Sequence, residues 1–160
     1  QAGLELIGAA ELAADAEVVL LAAEALAELG VRNPSIDLTQ PMLVPAVCRG
    51  LGLAPAQADA ARPALDHKDA AALGAAIGAK APVLNRLLAA TGRAEQVMAT
   101  LTALDLPAAA KGLVAELDDL VRRVRAAAPD LPLTVDAGEF RNFEYHTVIT
   151  FTLFARALSG

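Results

Sequence analysis

Residues 145–154 read Tyr-His-Thr-Val-Ile-Thr-Phe-Thr-Leu-Phe. Because neighbouring side chains of a strand point to opposite faces, the alternation in this run predicts a β-strand. The odd positions form the more apolar face, which we expect to pack on helices. The even positions include His146, Thr150 and Thr152, and this face is the one that we expect to meet a ligand or water.

The aromatic residues separate this segment from the rest of the chain. All four phenylalanines and the one tyrosine lie after residue 139, whereas Ala and Leu dominate before it. Ala and Leu favour helices. A helix over 13–29, stopped by Gly30, leads into a short alternating strand at 35–39. The apolar stripe predicted for this helix is Val18, Leu21, Ala22, Ala25 and Leu29. A helix that returns directly to a strand predicts an α+β fold.

Five prolines between residues 41 and 82 divide the middle of the chain into short pieces. Ala-rich stretches with apolar residues at helical spacing lie between and after them. The patterns predict helices near 44–51, 55–65, 69–77, 82–90, 93–104 and 107–127, and a short strand at 133–135. The apolar stripe predicted for the last of these helices is Leu113, Leu117, Leu120, Val121 and Val124.

Composition excludes several classes of function. The chain has 160 residues and a net charge of −6, which argues against a broad basic surface for nucleic acid. No apolar run approaches the roughly 20 residues of a membrane-spanning helix. The single cysteine, Cys48, excludes an intrachain disulfide, and His67 and His146 lack metal-ligand spacing. We therefore expect no metal, no cofactor and no membrane span.

Two segments carry more chemistry than this background. A strand over residues 1–8 would place Gln1, Gly3 and Glu5 on one face, where an amide and a carboxylate flank a gap that admits a small cationic or amphoteric ligand. An ordinary edge strand is the alternative for this segment.

The second segment, residues 139–147, brings together Arg141, Glu144, Tyr145 and His146 at the start of the best strand. Arg141 has the planar group that binds a carboxylate or phosphate through two hydrogen bonds. A charged turn before a strand is the alternative here.

Together the two segments resemble the catalytic core of class II histidyl-tRNA synthetases. In that family a Gln-x-Gly-x-Glu strand leads to an Asp-Ala-Glu helix start, here Gln1, Gly3, Glu5 and residues 15–17. The histidine signature Arg-Gly-Leu-Asp-Tyr-Tyr-Thr-Gly corresponds to Arg-Asn-Phe-Glu-Tyr-His-Thr-Val at 141–148. This form is closer to a paralogous family, the regulatory subunits of ATP phosphoribosyltransferase. Members of that family do not charge tRNA, and they activate the short-form catalytic subunit in the first step of histidine biosynthesis.

The resemblance implies a partial antiparallel sheet of the class II synthetase type with a large Ala-rich helical insertion. The insertion would be residues 41–130, between core segments 1–40 and 131–160. It also implies that the chain is an internal fragment of a protein about twice as long, without the flanking motifs that complete an ATP site.

The resemblance further implies roles for site residues. Gln1 and Glu5 would line a pocket for the histidine side chain. Arg141 corresponds to the arginine that serves the synthetase as its catalytic cation, and Tyr145 and His146 correspond to its tyrosine pair. His146 in place of a tyrosine, and Asn142 and Val148 in place of glycines, alter this pocket, and Val148 would narrow it.

We therefore expect a non-catalytic, cytoplasmic regulatory subunit, oligomeric in its full-length form. Its partner would be the catalytic subunit of ATP phosphoribosyltransferase, with L-histidine as a candidate ligand. The alternative is a fragment of a histidyl-tRNA synthetase catalytic domain. A helical interaction module without a ligand is a third interpretation.

Overall fold

The computed structural model describes residues 3, 5–9, 11–139 and 149–155. Within them the chain forms seven α-helices and four β-strands, so the α+β class is confirmed. The elements are α1 (Leu12–Glu28), β1 (Ser35–Thr39), α2 (Leu43–Gly50), α3 (Pro55–Asp66), α4 (Ala70–Ile77), α5 (Ala81–Leu88), β2 (Thr91–Arg93), α6 (Ala94–Ala103), α7 (Ala108–Ala127), β3 (Leu133–Asp136) and β4 (Thr150–Phe154). A 3-10 turn, Gly78–Lys80, joins α4 to α5.

The four strands form one sheet in the order β2-β3-β1-β4. The expectation of an antiparallel sheet holds for β2 with β3 and for β1 with β4, but β1 and β3 are parallel, with Ile36 opposite Leu133. Parallel strands need a long crossover, and the helices between residues 40 and 132 supply it. The sheet is therefore mixed.

One face of the sheet is apolar. Ile36, Leu38, Leu133 and Val135 are fully or almost fully buried on it, and Phe151 and Leu153 pack against the same core. Thr152 is exposed on the opposite face, so the predicted alternation is confirmed over β4. The first part of that predicted strand, residues 145–148, lies outside the described residues.

Helix α7 is the centre of the helical part and packs against α1, α2 and α6. Its predicted stripe is confirmed, because Leu117, Leu120, Val121 and Val124 are buried and Leu113 is half-buried. The buried residues of α7 and of the sheet belong to one hydrophobic core. How the chain divides between a synthetase-like core and an insertion stays a prediction.

The stripe predicted for α1 is wrong in phase. We expected Val18, Leu21 and Leu29 on it, but Leu21 is 41% exposed and Leu29, just past the helix, is 79% exposed. The structure buries Ala16 and Val19 instead. This helix has apolar side chains of its own on all sides, so their spacing alone does not identify the side that packs against α7.

The short helices of the middle begin and end within two residues of their predicted positions. Asp69 shows why α4 begins where it does, since its side chain accepts hydrogen bonds from the backbone N–H groups of Ala71 and Ala72. The three-residue strand β2 was not predicted, because Thr-Gly-Arg is too short to show alternation.

Two helical glycines give opposite predictions for stability. Gly50 ends α2 directly against the ring of Pro107, and a Cβ at Gly50 would overlap that ring, whereas a Cβ at Gly112 in α7 would meet open space. We expect Gly50→Ala to lower the free energy of unfolding by about 1–3 kcal/mol through overpacking. Gly112→Ala should raise it by about 0.5–1 kcal/mol, because alanine favours the helix.

Denaturant unfolding of the whole protein and of both variants measures the difference. Equal stabilisation by the two substitutions would contradict the close packing of α2 on the start of α7.

Candidate functional site

The face of the sheet opposite the apolar core carries mostly polar side chains. We call it the polar sheet face. Its members, read from the strand register, are Ser35, Asp37 and Thr39 of β1, Thr91 and Arg93 of β2, Thr134 and Asp136 of β3, and Thr150, Thr152 and Phe154 of β4. Side chains directly opposite one another on such a face are close enough to interact. This face is therefore the described surface best suited to hold a polar ligand.

A hydrogen bond between two strands orients the first carboxylate of this face. Thr134 Oγ1 donates to Asp37 Oδ1 at 2.7 Å and lies 3.3 Å from the carbonyl oxygen of Ile36. Both side chains are half-buried at the pairing of β1 with β3. The threonine thus holds the aspartate in a fixed direction, as preorganised binding sites require.

The second carboxylate, Asp136, ends β3 and accepts several hydrogen bonds. Lys68 Nζ lies 2.9 Å from Oδ1 and 2.7 Å from Oδ2, Thr91 Oγ1 donates to Oδ1 at 3.1 Å, and the backbone N–H of Gly138 donates to Oδ1 at 3.0 Å. The side chains of Asp136 and Lys68 are 16% and 32% exposed. Asp136 is therefore both a member of the polar sheet face and the anchor of the chain that leaves β3.

The strands before and after residues 140–148, β3 and β4, lie on either side of β1, and β3 ends at the end of the sheet where β4 begins. β1 and β3 are parallel, so Thr39 and Asp136 lie at the same end, and β4 begins there with Thr150 opposite Thr39. Gln40 follows, buried, and its Oε1 accepts from the N–H of Met42 at 3.2 Å. Thr150 Oγ1 is buried and has no hydrogen-bond partner in the described part of the chain.

Of the site residues predicted from sequence, Gln1, Arg141, Tyr145 and His146 lie outside the described residues. Glu5 is described and is exposed. The strand predicted over residues 1–8 is wrong for Gly3 and residues 5–8, which belong to no strand. A strand needs a partner for its backbone N–H and C=O groups, and none of the described strands pairs with these residues.

The sequence did not identify the carboxylates of the polar sheet face. The alternation at 35–39 already contained the signal for Asp37, since its neighbours Ile36 and Leu38 are apolar. Lys68 and Asp136 are 68 positions apart, so no local pattern joins them. Their meeting depends on the tertiary fold.

A second concave surface lies between α6 and α7. This groove has a volume of about 760 Å³, and its lining includes Met98, Ala103 and Val121. At its rim Arg125 pairs with Glu95 at 2.6 Å and also donates to the carbonyl oxygens of Pro129 and Leu131 at 2.7 Å. The pKa of Glu95 is lowered by its backbone hydrogen bond and by Arg125. Arg125 thus links the C-terminal end of α7 to α6 and to the segment that follows α7.

Other kinds of site find little support in the described part of the chain. It holds no cluster of three or more His, Cys, Asp or Glu side chains that could bind a metal ion. Among the same residues, none of the helices has the length and apolar character needed to cross a membrane. Cys48 is half-buried against the core, and burial raises the pKa of its thiol.

Comparison with known proteins agrees with this architecture. All of residues 1–160 match the family model described as histidyl-tRNA synthetase. The structure resembles that of an ATP phosphoribosyltransferase regulatory subunit/histidyl-tRNA synthetase from Bacillus halodurans, with a TM-score of 0.77 and 19% identity over 97% of this chain and 42% of that one. At that identity the likeness establishes the fold, which is that of the class II synthetase core.

Two sequence relatives are more similar. ATP phosphoribosyltransferase regulatory subunits from Paramagnetospirillum magneticum and Rhodospirillum centenum are 54% and 49% identical over the whole of this chain. The chain spans 42% of the length of each of these relatives. The chain therefore belongs to the family described as histidyl-tRNA synthetase, and these two relatives of it are named ATP phosphoribosyltransferase regulatory subunits.

The raised pKa of Cys48 predicts a slowly reacting thiol. Burial disfavours the thiolate, and this effect exceeds the opposing ones of Arg49 and of a backbone hydrogen bond. Alkylation by iodoacetamide should be slower than in the urea-unfolded chain, and its rise with pH should be displaced to higher pH. The thiol's contribution to stability is then complete below the unfolded pKa and lost as pH rises through the folded pKa.

Alkylation rates of native and unfolded protein between pH 7 and 10 provide the measurement. A native rate equal to the unfolded rate at every pH would contradict the burial of Cys48.

Proposed function

We propose that these residues are part of a non-catalytic regulatory subunit that activates the catalytic subunit of ATP phosphoribosyltransferase, the first step of histidine biosynthesis. The observation that carries the proposal is the identity of 54% and 49% to two proteins of that name over the whole of this chain. The partner is then the catalytic subunit, in a cytoplasmic hetero-oligomer.

We further propose L-histidine as the ligand of the polar sheet face and the segments next to it. The face offers carboxylates for an ammonium or imidazolium group and hydroxyls for the remaining polar atoms. Asp37 is already oriented by Thr134, which lowers the cost of ordering the site on binding. Gln1, Glu5, Arg141, Tyr145 and His146 remain the predicted contacts, on the strength of the family resemblance.

The alternative function, aminoacylation of tRNA, is not favoured by the names of the most similar relatives. Four of them, between 40% and 54% identical, carry the regulatory name. The match to a histidyl-tRNA synthetase family model is compatible with both functions, because the two groups share the fold.

Reconstitution tests the proposal. The whole protein is mixed with the short-form catalytic subunit, and phosphoribosyl transfer is measured with and without L-histidine, with D-histidine as the matched control ligand. We expect phosphoribosyl transfer only when both subunits are present, and we expect L-histidine, but not D-histidine, to change its rate. Lack of activation would contradict the regulatory role, and histidine-dependent exchange of pyrophosphate into ATP would identify a synthetase.

Glu5 gives a sharper prediction for the ligand site. If its carboxylate accepts a hydrogen bond from histidine, Glu5→Ala should weaken L-histidine binding by about 1–3 kcal/mol. Glu11→Ala is the matched control, because Glu11 is also exposed and its side chain does not cap α1. Calorimetric titration of the whole protein measures both. Unchanged affinity in Glu5→Ala would remove Glu5 from the site and leave the activating role intact.

A further inference from the structure

The chain that leaves β3 is held from three sides by the helical middle of the molecule. The Asp136 carboxylate accepts from Lys68 and Thr91. The backbone N–H of Ala137 donates to the carbonyl oxygen of Ala90 at 3.1 Å. Gly138 lies directly on the backbone of Leu88. We call residues 136–138 the β3 exit.

The contact at Gly138 leaves no free space. A Cβ at this position would lie 2.9 Å from Leu88 Cα and 3.2 Å from the Leu88 carbonyl oxygen. These are backbone atoms of α5, which do not move aside as a flexible side chain does. A displacement of α5 is therefore transmitted directly to the β3 exit, and the reverse also holds.

Lys68 reaches Asp136 from an unusual backbone conformation. It lies in the turn between α3 and α4 with a φ of 52°, in the left-handed region that glycine adopts more readily. The sequence has a lysine there, and its Nζ binds both oxygens of Asp136. A strained residue whose side chain makes a defined long-range contact suggests a functional role for that contact.

Stability alone does not account for this pair. Partly exposed ion pairs contribute little to the free energy of unfolding, because solvent screens them. The same pair does, however, join the α3–α4 turn to a member of the polar sheet face. The position of the pair therefore suits a connection between the α3–α4 turn and the polar sheet face better than a contribution to the stability of the core.

We infer that Lys68 and Asp136 are positioning residues that couple the helical middle of the chain to ligand binding at the polar sheet face. The inference rests on the proposed function and deepens it. Histidine can regulate the catalytic subunit only if it binds two states of the assembly with different affinity. The ion pair connects the polar sheet face with the turn between α3 and α4, next to the contact of Gly138 with α5, so its loss should weaken that difference.

Three variants test the inference in the whole protein reconstituted with the catalytic subunit. Lys68→Met removes the cation, and Asp136→Asn removes the anion while an amide oxygen can still accept from Gly138 and Thr91. The double variant completes the cycle. Lys68→Arg is the conservative variant that retains the charge. Lys111→Met is the matched control, because Lys111 pairs with Asp105 at 3.3 Å on an exposed surface.

The readouts are the calorimetric Kd for L-histidine, the histidine concentration that halves the regulatory response, and the melting temperature. We expect Lys68→Met and Asp136→Asn each to raise both the Kd and the half-response concentration of histidine roughly fivefold to twentyfold. The double variant should lose no more histidine affinity than the more affected of the two single variants, because the two residues act as one unit. Lys68→Arg should restore most of the response, and Lys111→Met should match the wild type.

The outcomes separate the inference from the function on which it rests. A wild-type protein that neither activates the catalytic subunit nor binds L-histidine overturns both. One that activates without any response to histidine overturns the inference and the proposed ligand, and leaves the activating role. If the wild type responds and Lys68→Met responds equally, the inference is wrong and the proposed function stands. A fall in melting temperature with unchanged histidine measures also overturns it, because the pair is then only structural.

Discussion

The parallel pairing of β1 with β3 is the constraint on which the rest of the structure depends. Ile36 and Leu133 are opposite each other although 97 positions separate them. Antiparallel neighbours can be joined by a tight turn, but parallel ones require the chain to cross back, and six helices with β2 make that crossing here. Because of the same pairing, β1 and β3 finish at the same end of the sheet, where Thr39, Gln40 and Asp136 lie.

Register then separates the two faces of the sheet. A slip of β3 by one residue against β1 would move Thr134 into the apolar core and expose Leu133. Burying the Thr134 hydroxyl away from its partner Asp37 costs more than their hydrogen bond contributes. One strand register therefore determines both the apolar core and the candidate site. The Thr134–Asp37 hydrogen bond favours the same register that the apolar side chains require.

Local patterns identified most elements but few of the contacts between them. The helices near 44–51, 55–65 and 107–127 followed from prolines, capping residues and apolar spacing, which are properties of short windows. The buried side of α1, the parallel pairing and the Lys68–Asp136 pair followed from none of these, because each depends on residues distant in sequence. The predicted contacts Arg141, Tyr145 and His146 lie outside the described residues and stay predictions.

The charges of the polar sheet face bear on the kind of ligand that it can hold. Adenylation requires excess positive charge around a triphosphate in the transition state. Among the described residues, the charged members of the face are Asp37, Arg93 and Asp136, and Lys68 pairs with Asp136, so these charges sum to zero and the face has no such excess. Binding a zwitterionic amino acid makes no comparable demand, since paired charges and hydroxyls satisfy it. The described part of the face therefore suits a zwitterionic ligand better than a triphosphate.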